Sequence, residues 1–303
     1  MSQQNGRGSL LVVLAYAAWG LLPVYWKALA DVGSLEVLAH RVAWTVVFAG
    51  LTLLGIRAAR RPDSVPVADG VAVSARGRLV LVHLASGVFL SINWLTYVYA
   101  VAVGKTVEAS MGYFINPLLN VLLGVVVLRE RLRPTQVAAA ILATSGVVVL
   151  GVGLGRLPWI ALVLAVSFAL YGLIKKRSAV GALPGLFLET LLVLPLALGY
   201  LAVIAARGQL SFGGGPVYRT VLLVAAGPVT SIPLFWFAAG VKRIPLSRVG
   251  FLQYLSPTLQ LLVGVLVFRE AFTPIHAVSF GLIWAGVALF LGSGLRGRLH
   301  KDT

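Results

Sequence analysis

The sequence predicts an all-α integral membrane protein with ten transmembrane helices, arranged as two inverted five-helix repeats. Apolar residues make up 59% of the 303-residue chain and charged residues only 11%, against about 45–50% and about 25% in soluble domains. The mean hydropathy is +0.95, and the apolar residues fall in ten long runs. A block near the middle of the chain recurs 140 residues later, so that Arg129 in the first copy matches Arg269 in the second. This repetition indicates a duplication.

Each apolar run has a length that suits one crossing of the membrane. A helix needs roughly 17–25 residues to cross the hydrocarbon core. The strands of a lipid-facing barrel alternate polar and apolar residues over about ten positions. These runs are apolar on every side, which excludes a barrel. The predicted spans are residues 9–28, 35–56, 79–100, 106–128, 135–153, 158–174, 182–204, 217–240, 247–268 and 275–294.

The basic residues fall mainly on one side of the predicted membrane. If the N-terminus is inside, 18 of the 25 Lys and Arg residues lie in internal segments, six lie outside and one lies within a span. Because cytoplasmic loops carry the excess of Lys and Arg, both termini are predicted to be cytoplasmic. The same asymmetry accounts for the net charge of +16, so we predict no nucleic-acid partner.

The repeated block defines two predicted domains, residues 8–153 and 158–294. Because each copy has five spans, an odd number, the copies must be inverted relative to one another. This plan is common in secondary transporters, whose sites lie between the repeats near the bilayer midplane. The residues repeated at this offset are Leu122, Gly124, Val125, Val127, Arg129, Glu130 and Pro134, which match Leu262, Gly264, Val265, Val267, Arg269, Glu270 and Pro274, while Pro117 matches Pro257.

These residues resemble a known family. The block NPLLNVLLGVVVLRERLRP, its copy SPTLQLLVGVLVFREAFTP and the early stretch EVLAHRVAW are similar to EamA-type drug/metabolite transporters. GYFINP, GFLQYLSP and the spacing of Glu36, His40 and Arg41 look more narrowly like the RarD branch of that superfamily. The resemblance covers residues 10–291. It implies a ten-helix exporter of small metabolites or drugs in the inner membrane.

Polar residues in the fourth span and in its repeat mate predict a substrate cavity. They are spaced three and four apart in the first copy, so they share a helix face. Pro117 and Pro257 lie within these stripes, where each frees a backbone carbonyl and kinks its helix. Alternatively, the stripes join helices through hydrogen bonds of about 0.6 kcal/mol each. The stripe residues are Tyr113, Asn116 and Asn120 in the first copy and Gln253, Ser256 and Gln260 in the second.

Aromatic residues complete the predicted wall of the cavity. Asn93 and Tyr97 lie one turn apart in the third span and form a second candidate pair for substrate binding. A mostly apolar pocket with a few placed polar groups suits a small organic substrate. Core packing and interfacial belts explain individual aromatic residues equally well. The other aromatic candidates are Trp19, Trp94, Tyr171 and Trp236.

Ionisable residues within the spans are candidates for a gate or for proton coupling. Each costs about 2.5–3.5 kcal/mol to insert, so such residues usually face a bundle interior or a wet cavity. Two roles remain open for Arg41: substrate contact at an outer gate, or a structural ion pair with Glu36 or Glu108. A buried carboxylate either exchanges protons or is tied to a nearby hydroxyl or basic group. The candidates are Glu36, His40, Arg41, Glu108 and Glu189.

The remaining motifs are interpreted as structural. The pairs Arg129–Glu130 and Arg269–Glu270 lie where spans end, just before a proline, and we interpret them as helix-end residues. The chain has no cysteine, no GxxxxGK[ST], no HExxH and no GxSxG. We therefore predict no metal site, no cofactor and no enzymatic activity. An intramembrane enzyme and a non-transporting scaffold are the alternatives.

The prediction from sequence is a secondary-active exporter of small organic metabolites or drugs that works by alternating access. Its partners are the lipid bilayer and a small-molecule substrate, and protons are the candidate coupling ion. It is predicted to be a multi-pass protein of the plasma (inner) membrane.

Overall fold

The computed structural model of the chain describes residues 2–59, 73–128, 134–178 and 180–299, and within them helices form all the regular secondary structure. The elements are α1 Ser2–Lys27, α2 Ser34–Ala59, α3 Val73–Ala102, α4 Thr106–Leu128, α5 Pro134–Gly153, α6 Trp159–Arg177, α7 Ala182–Ala206, α8 Val217–Val241, α9 Leu246–Leu252, α10 Leu255–Leu262, a π-helical turn Val263–Val267 and α11 Pro274–Leu299.

The helices have the length and composition of membrane spans. Six of these helices are long and apolar enough to cross a bilayer, and so is the segment Arg248–Val267, which contains α10 and parts of its neighbours; two shorter helices, residues 159–175 and 274–290, are also apolar. Leu196 and Leu81 are 71% and 67% exposed on the outer surface. Side chains this apolar face lipid readily, because the membrane makes polar rather than apolar exposure expensive. The all-helical membrane class is confirmed, whereas the count of ten spans stays a prediction.

The predicted span 247–268 corresponds to the apolar segment Arg248–Val267, which is long enough to cross a bilayer, and a short turn interrupts its helix near the kink expected at Pro257. Helix α9 ends at Leu252, and after a short turn α10 begins at Leu255. Pro257 lacks a backbone N–H, and its ring clashes with the carbonyl four residues earlier, which belongs to Gln253. Pro257 is instead accommodated in the first turn of a new helix, where its missing N–H costs little. The position of the break therefore suits the proline.

The helices pack in pairs that link the two parts of the chain. Helix α5 lies along α11, and α2 lies against α7 and α8. The helices of the two parts correspond in order, so that α1 matches α6 and α4 matches α10. The contact between α4 and α6 therefore has a counterpart between α10 and α1. In the same way, α3 with α6 corresponds to α8 with α1, and α3 with α7 corresponds to α8 with α2.

Two glycines allow α5 and α11 to approach closely. A Cβ on Gly146 would lie 2.7 Å from the carbonyl oxygen of Ser279, and a Cβ on Gly286 would lie 2.7 Å from the carbonyl oxygen of Ala139. Gly146 and Gly286 are 140 positions apart, and so are Ala139 and Ser279. Because higher positions on α5 meet lower positions on α11, the two helices run antiparallel.

Gly87 in α3 and Gly227 in α8 form a second pair at the same offset. A Cβ on Gly87 would lie 2.6 Å from the Glu189 carbonyl oxygen of α7, and one on Gly227 would meet the backbone of Trp44 in α2. Small residues at helix contacts let the backbones pack closely, as is usual in membranes. Both contacts hold a helix of one part of the chain against a helix of the other part.

Candidate functional site

Arg41 forms the centre of a buried polar group between the two parts of the chain. It lies in α2 with only 5% of its surface exposed. The guanidinium lies 3.9 Å from the centre of the Trp94 ring and 4.7 Å from that of Trp26, within the range of cation–π attraction. Its Nε donates a hydrogen bond of 2.9 Å to Oγ1 of Thr230 in α8. One side chain therefore connects α1, α2, α3 and α8.

The charge of Arg41 has no acidic partner within 4.0 Å among the described residues. Glu36 instead accepts a 2.7 Å hydrogen bond from the backbone N–H of Ser211, and Glu108 pairs with Arg156 at 2.8 Å. The structural ion pair of Arg41 with Glu36 or Glu108 is therefore wrong. Those carboxylates lie near the N-termini of α2 and α4, where each is already bound by a group from a loop, Ser211 for Glu36 and Arg156 for Glu108.

Two tyrosines and an asparagine lie beside Arg41. The hydroxyl of Tyr113 donates a hydrogen bond of 3.0 Å to Asn93 Oδ1, and Asn93 Nδ2 donates to Ser167 Oγ at 3.1 Å. The Tyr97 ring meets the Tyr113 ring edge to face, with centroids 5.6 Å apart. Tyr97 shares an apolar cluster with Trp26, and Tyr113 packs against that cluster, while the Arg41 guanidinium lies over the Trp26 ring. The structure thus brings the predicted pair Asn93 and Tyr97 together with Tyr113 and Arg41.

The loop between α7 and α8 covers the beginning of α2. The Phe212 ring stacks on the His40 imidazole with centroids 4.8 Å apart, next to the hydrogen bond from Ser211 to Glu36. His40 Nε2 lies 4.0 Å from Glu36 Oε1. Gly213 follows with a φ of 75°, a left-handed conformation that glycine adopts without a steric penalty. The loop therefore packs over this end of the Arg41 group.

Several buried polar atoms around Arg41 have no hydrogen-bond partner within the described part of the chain. Buried polar groups are nearly always satisfied in folded proteins, and leaving one unsatisfied costs about 1–3 kcal/mol. Six such atoms lie on α1, α2 and α3. The atoms are Trp26 Nε1, His40 Nε2, Arg41 Nη1, Trp44 Nε1, Thr45 Oγ1 and Tyr97 OH.

The two polar stripes make contacts between helices. Asn116 Nδ2 donates to the Ala165 carbonyl of α6 at 3.2 Å. Gln260 Nε2 contacts the Trp19 carbonyl of α1 at 3.4 Å and Ser256 Oγ at 3.3 Å. The bonds to Ala165 and to Trp19 join helices, as the alternative interpretation expects, whereas the bond to Ser256 lies within α10; the cavity assignment stays a prediction. Gln253 is half-buried at the end of α9, and the side chain of Asn120 lies outside the described residues.

Glu189 is fully buried in α7 and has three donors. Its Oε1 lies 2.8 Å from Lys175 Nζ and accepts a 2.9 Å hydrogen bond from Ser86 Oγ. The hydroxyl of Tyr171 donates to Oε2 at 3.4 Å. The carboxylate is thus tied to a basic group and two hydroxyls. Proton coupling through Glu36, Glu108 or Glu189 stays a prediction.

Glu270 has a contact that the sequence interpretation missed. Its two carboxylate oxygens accept hydrogen bonds of 2.8 Å from the backbone N–H groups of Thr106 and Val107, the first residues of α4. Arg269 precedes it with a φ of 55°, a left-handed conformation that turns the chain towards α4. A carboxylate suits the free N–H groups of a helix start. The matching pair Arg129 and Glu130 lies outside the described residues.

Comparisons with known proteins agree with one another. A model of the EamA-like transporter family matches residues 6–152 and 157–292. The chain is 43% identical to Protein RarD of Streptomyces exfoliatus, over 93% of this chain and 87% of that one. It is 40% identical to the uncharacterized transporter YojE of Bacillus subtilis, over 97% and 96%, and 39% identical to Protein RarD of Escherichia coli, over 96% and 95%.

A solved crystal structure has a similar fold. It superposes with a TM-score of 0.57 and covers 94% of this chain and 97% of its own. The sequences are 22% identical, so the likeness concerns the fold alone.

Proposed function

The chain belongs to the EamA-like transporter family, as its motifs indicate, and from that premise we propose that it exports a small organic substrate by secondary-active alternating access. It is a multi-pass membrane protein whose relatives are named as transporters. We place it in the inner membrane with both termini in the cytoplasm, because Lys and Arg favour the segments on that side. Export is inferred from the family resemblance.

The packing supports two inverted five-helix repeats, residues 8–153 and 158–294. Helix contacts recur when the two repeats are exchanged, and the close contacts of Gly146 and Gly286 are equivalent at the 140-residue offset. Since α5 and α11 run antiparallel and occupy matching places in their repeats, the repeats have opposite orientations. Inverted repeats with a site between them suit a transporter that rocks between two states.

Contacts between the repeats support a state closed on the outer side. Three of them lie at helix ends that face outside in the proposed topology. Each joins a residue of the first repeat to one of the second, so opening the outer side breaks all three. The contacts are Glu36 with Ser211, Thr106 with Glu270, and Asp31 with Arg219.

The proposal depends most on the buried group around Arg41. Its members come from both repeats, since Arg41 lies in α2 and Thr230 in α8. The interrupted helix α9–α10 packs against α1 and α4, which also border the Arg41 group, and discontinuous helices often form transporter sites. Asn93, Tyr97 and Tyr113 supply polar groups on an otherwise apolar wall, as a small organic substrate requires.

Transport is tested with purified protein in proteoliposomes. A panel of labelled small metabolites is placed outside vesicles preloaded with the same unlabelled compound, and counterflow is measured. We expect at least one compound to accumulate transiently in vesicles that contain the protein. No counterflow of any compound by folded protein would favour a scaffold or an enzyme.

A cross-link tests the alternating mechanism in the same vesicles. The chain has no native cysteine, so cysteines at Asp31 and Arg219, which pair across the repeats, can be joined by a short bifunctional thiol reagent. We expect the joined protein to lose counterflow and the two single-cysteine variants to keep it. Full transport by the joined protein would contradict opening on this side.

A further inference from the structure

We propose that the substrate carries one carboxylate and that Arg41 binds it. The inference rests on the proposed transport function and names the substrate class for the same site. It starts from a buried guanidinium without an acidic partner, which is unusual in a membrane protein.

An isolated charge is costly to bury unless a counter-charge or several hydrogen bonds compensate it. Arg41 is 95% buried, since only 5% of its surface is exposed. Nε is bonded to Thr230, but Nη1 has no partner within the described ranges. Stacking on Trp94 and Trp26 offsets part of the cost and cannot satisfy an N–H group. A bound anion would supply both the charge and the acceptor.

The surrounding charges indicate a single negative charge on the ligand. Three cations of the helix bundle have acidic partners, whereas Arg41 has none among the described residues, so Arg41 contributes one uncompensated positive charge to its buried group. A phosphate carries up to two negative charges and usually requires more than one cation or a row of backbone N–H groups. The occupied pairs are Arg156 with Glu108, Lys175 with Glu189, and Arg219 with Asp31.

The geometry around Arg41 favours a planar carboxylate. Indole rings lie near the guanidinium at 3.9 Å and 4.7 Å, and Nη1 is its buried atom without a hydrogen-bond partner in the described ranges, so we place the ligand at Nη1. Nη1 can donate a charge-assisted hydrogen bond to one carboxylate oxygen. Free donors on neighbouring side chains, Trp26 Nε1 and Tyr97 OH, provide further hydrogen bonds to the same ligand.

The rest of the ligand is expected to be apolar or aromatic. Tyr97 and Trp26 belong to one apolar cluster, and Tyr113 packs against it. Aromatic rings favour edge-to-face contact with an aromatic ligand. Together with the single charge, this wall describes an aromatic or apolar monocarboxylate.

Binding is measured with purified protein in detergent, by tryptophan fluorescence and by the shift in Tm. The probes are benzoate and phenylacetate, and the uncharged comparisons are benzamide and phenylacetamide, all at equal ionic strength. We expect the carboxylates to change the fluorescence and raise Tm, and the amides to bind at least about tenfold more weakly. Equal binding of acids and amides, or an equal response to chloride or inorganic phosphate, would overturn the carboxylate assignment.

Variants of Arg41 test which residue binds the acid. Arg41→Gln should weaken benzoate binding by about tenfold or more. Arg41→Lys should weaken it less, because lysine keeps the positive charge although it lacks the planar guanidinium donors. Arg207→Gln, at an exposed arginine beyond α7, is the matched control and should bind as the unmodified protein does. Unchanged affinity in a folded Arg41→Gln protein would refute the assignment, and the acid–amide comparison decides it if that variant does not fold.

Vesicle transport separates this inference from the proposed function. Counterflow of uncharged compounds but not of carboxylates would overturn the inference and leave the transporter intact. Carboxylate binding that depends on Arg41, without counterflow of any compound, would overturn the proposed function instead. Counterflow of benzoate or phenylacetate that is lost in Arg41→Gln supports both.

Discussion

Replacing Glu270 tests whether one carboxylate helps to hold the outer side closed. Glu270 accepts two 2.8 Å hydrogen bonds from the first N–H groups of α4. Losing a helix cap costs about 0.5–2 kcal/mol, and losing a negative charge at a helix start costs about 0.3–1 kcal/mol. Together these give about 1–3 kcal/mol, which reduces the ratio of closed to open molecules by about 5- to 150-fold.

The shift is measured with a single cysteine at Ser110, which is fully buried one turn below the capped N–H groups of α4. An impermeant thiol reagent is applied from outside the cell. Labelling should be slow with Glu270 present, faster in Glu270→Gln, which keeps one acceptor oxygen, and fastest in Glu270→Ala. Arg207→Gln on the same background is the control and should not change the rate. Equal labelling rates in all four proteins would refute the role given to Glu270.

Three further predictions concern packing, coupling and topology. Gly286→Ala should lower the free energy of unfolding by about 1–3 kcal/mol, because the new Cβ would meet the Ala139 oxygen. Gly281→Ala is the control, since a Cβ there has open space, and it should leave the free energy of unfolding unchanged. Equal Tm values for the two variants would contradict this prediction. If a carboxylate carries protons, its Gln variant should still exchange substrate but lose the response to a pH gradient, and unaltered gradient dependence in every variant would remove this route. The carboxylates are Glu36, Glu108 and Glu189. Reporter fusions should be cytoplasmic at the C-terminus and external after Gly155, and an external C-terminal reporter would contradict the inverted repeats.

Sequence reasoning predicted the helices well where a single rule governs them. The run 182–204 corresponds to α7 at Ala182–Ala206, because apolar length alone defines a span. The run 247–268 corresponds to the apolar segment Arg248–Val267, and the kink expected at Pro257 lies close to the turn between α9 and α10. Pro117 lies inside the continuous helix α4. A proline therefore predicts a possible break, and the neighbouring helices decide whether it occurs.

The candidate site was predictable as a set of residues but not as a set of contacts. Arg41, Asn93 and Tyr113 stand out because polar groups are costly within a membrane. Helix periodicity orients a side chain only within its own helix, so it does not reveal that Thr230 lies beside Arg41 or that Glu270 reaches α4. Those contacts depend on how helices of the two repeats pack together.

Access to Thr230 from the two sides of the membrane tests alternating access most directly. Thr230 bonds to Arg41 and is only 6% exposed, so a cysteine there reports on the centre of the proposed path. With the outer side closed, the thiol should react with an impermeant reagent added from the cytoplasmic side. In Glu270→Ala it should react from outside, with a matching decrease in labelling from inside. Faster labelling from outside in Glu270→Ala without a decrease from inside, or labelling from neither side in a protein that transports, would contradict alternating access.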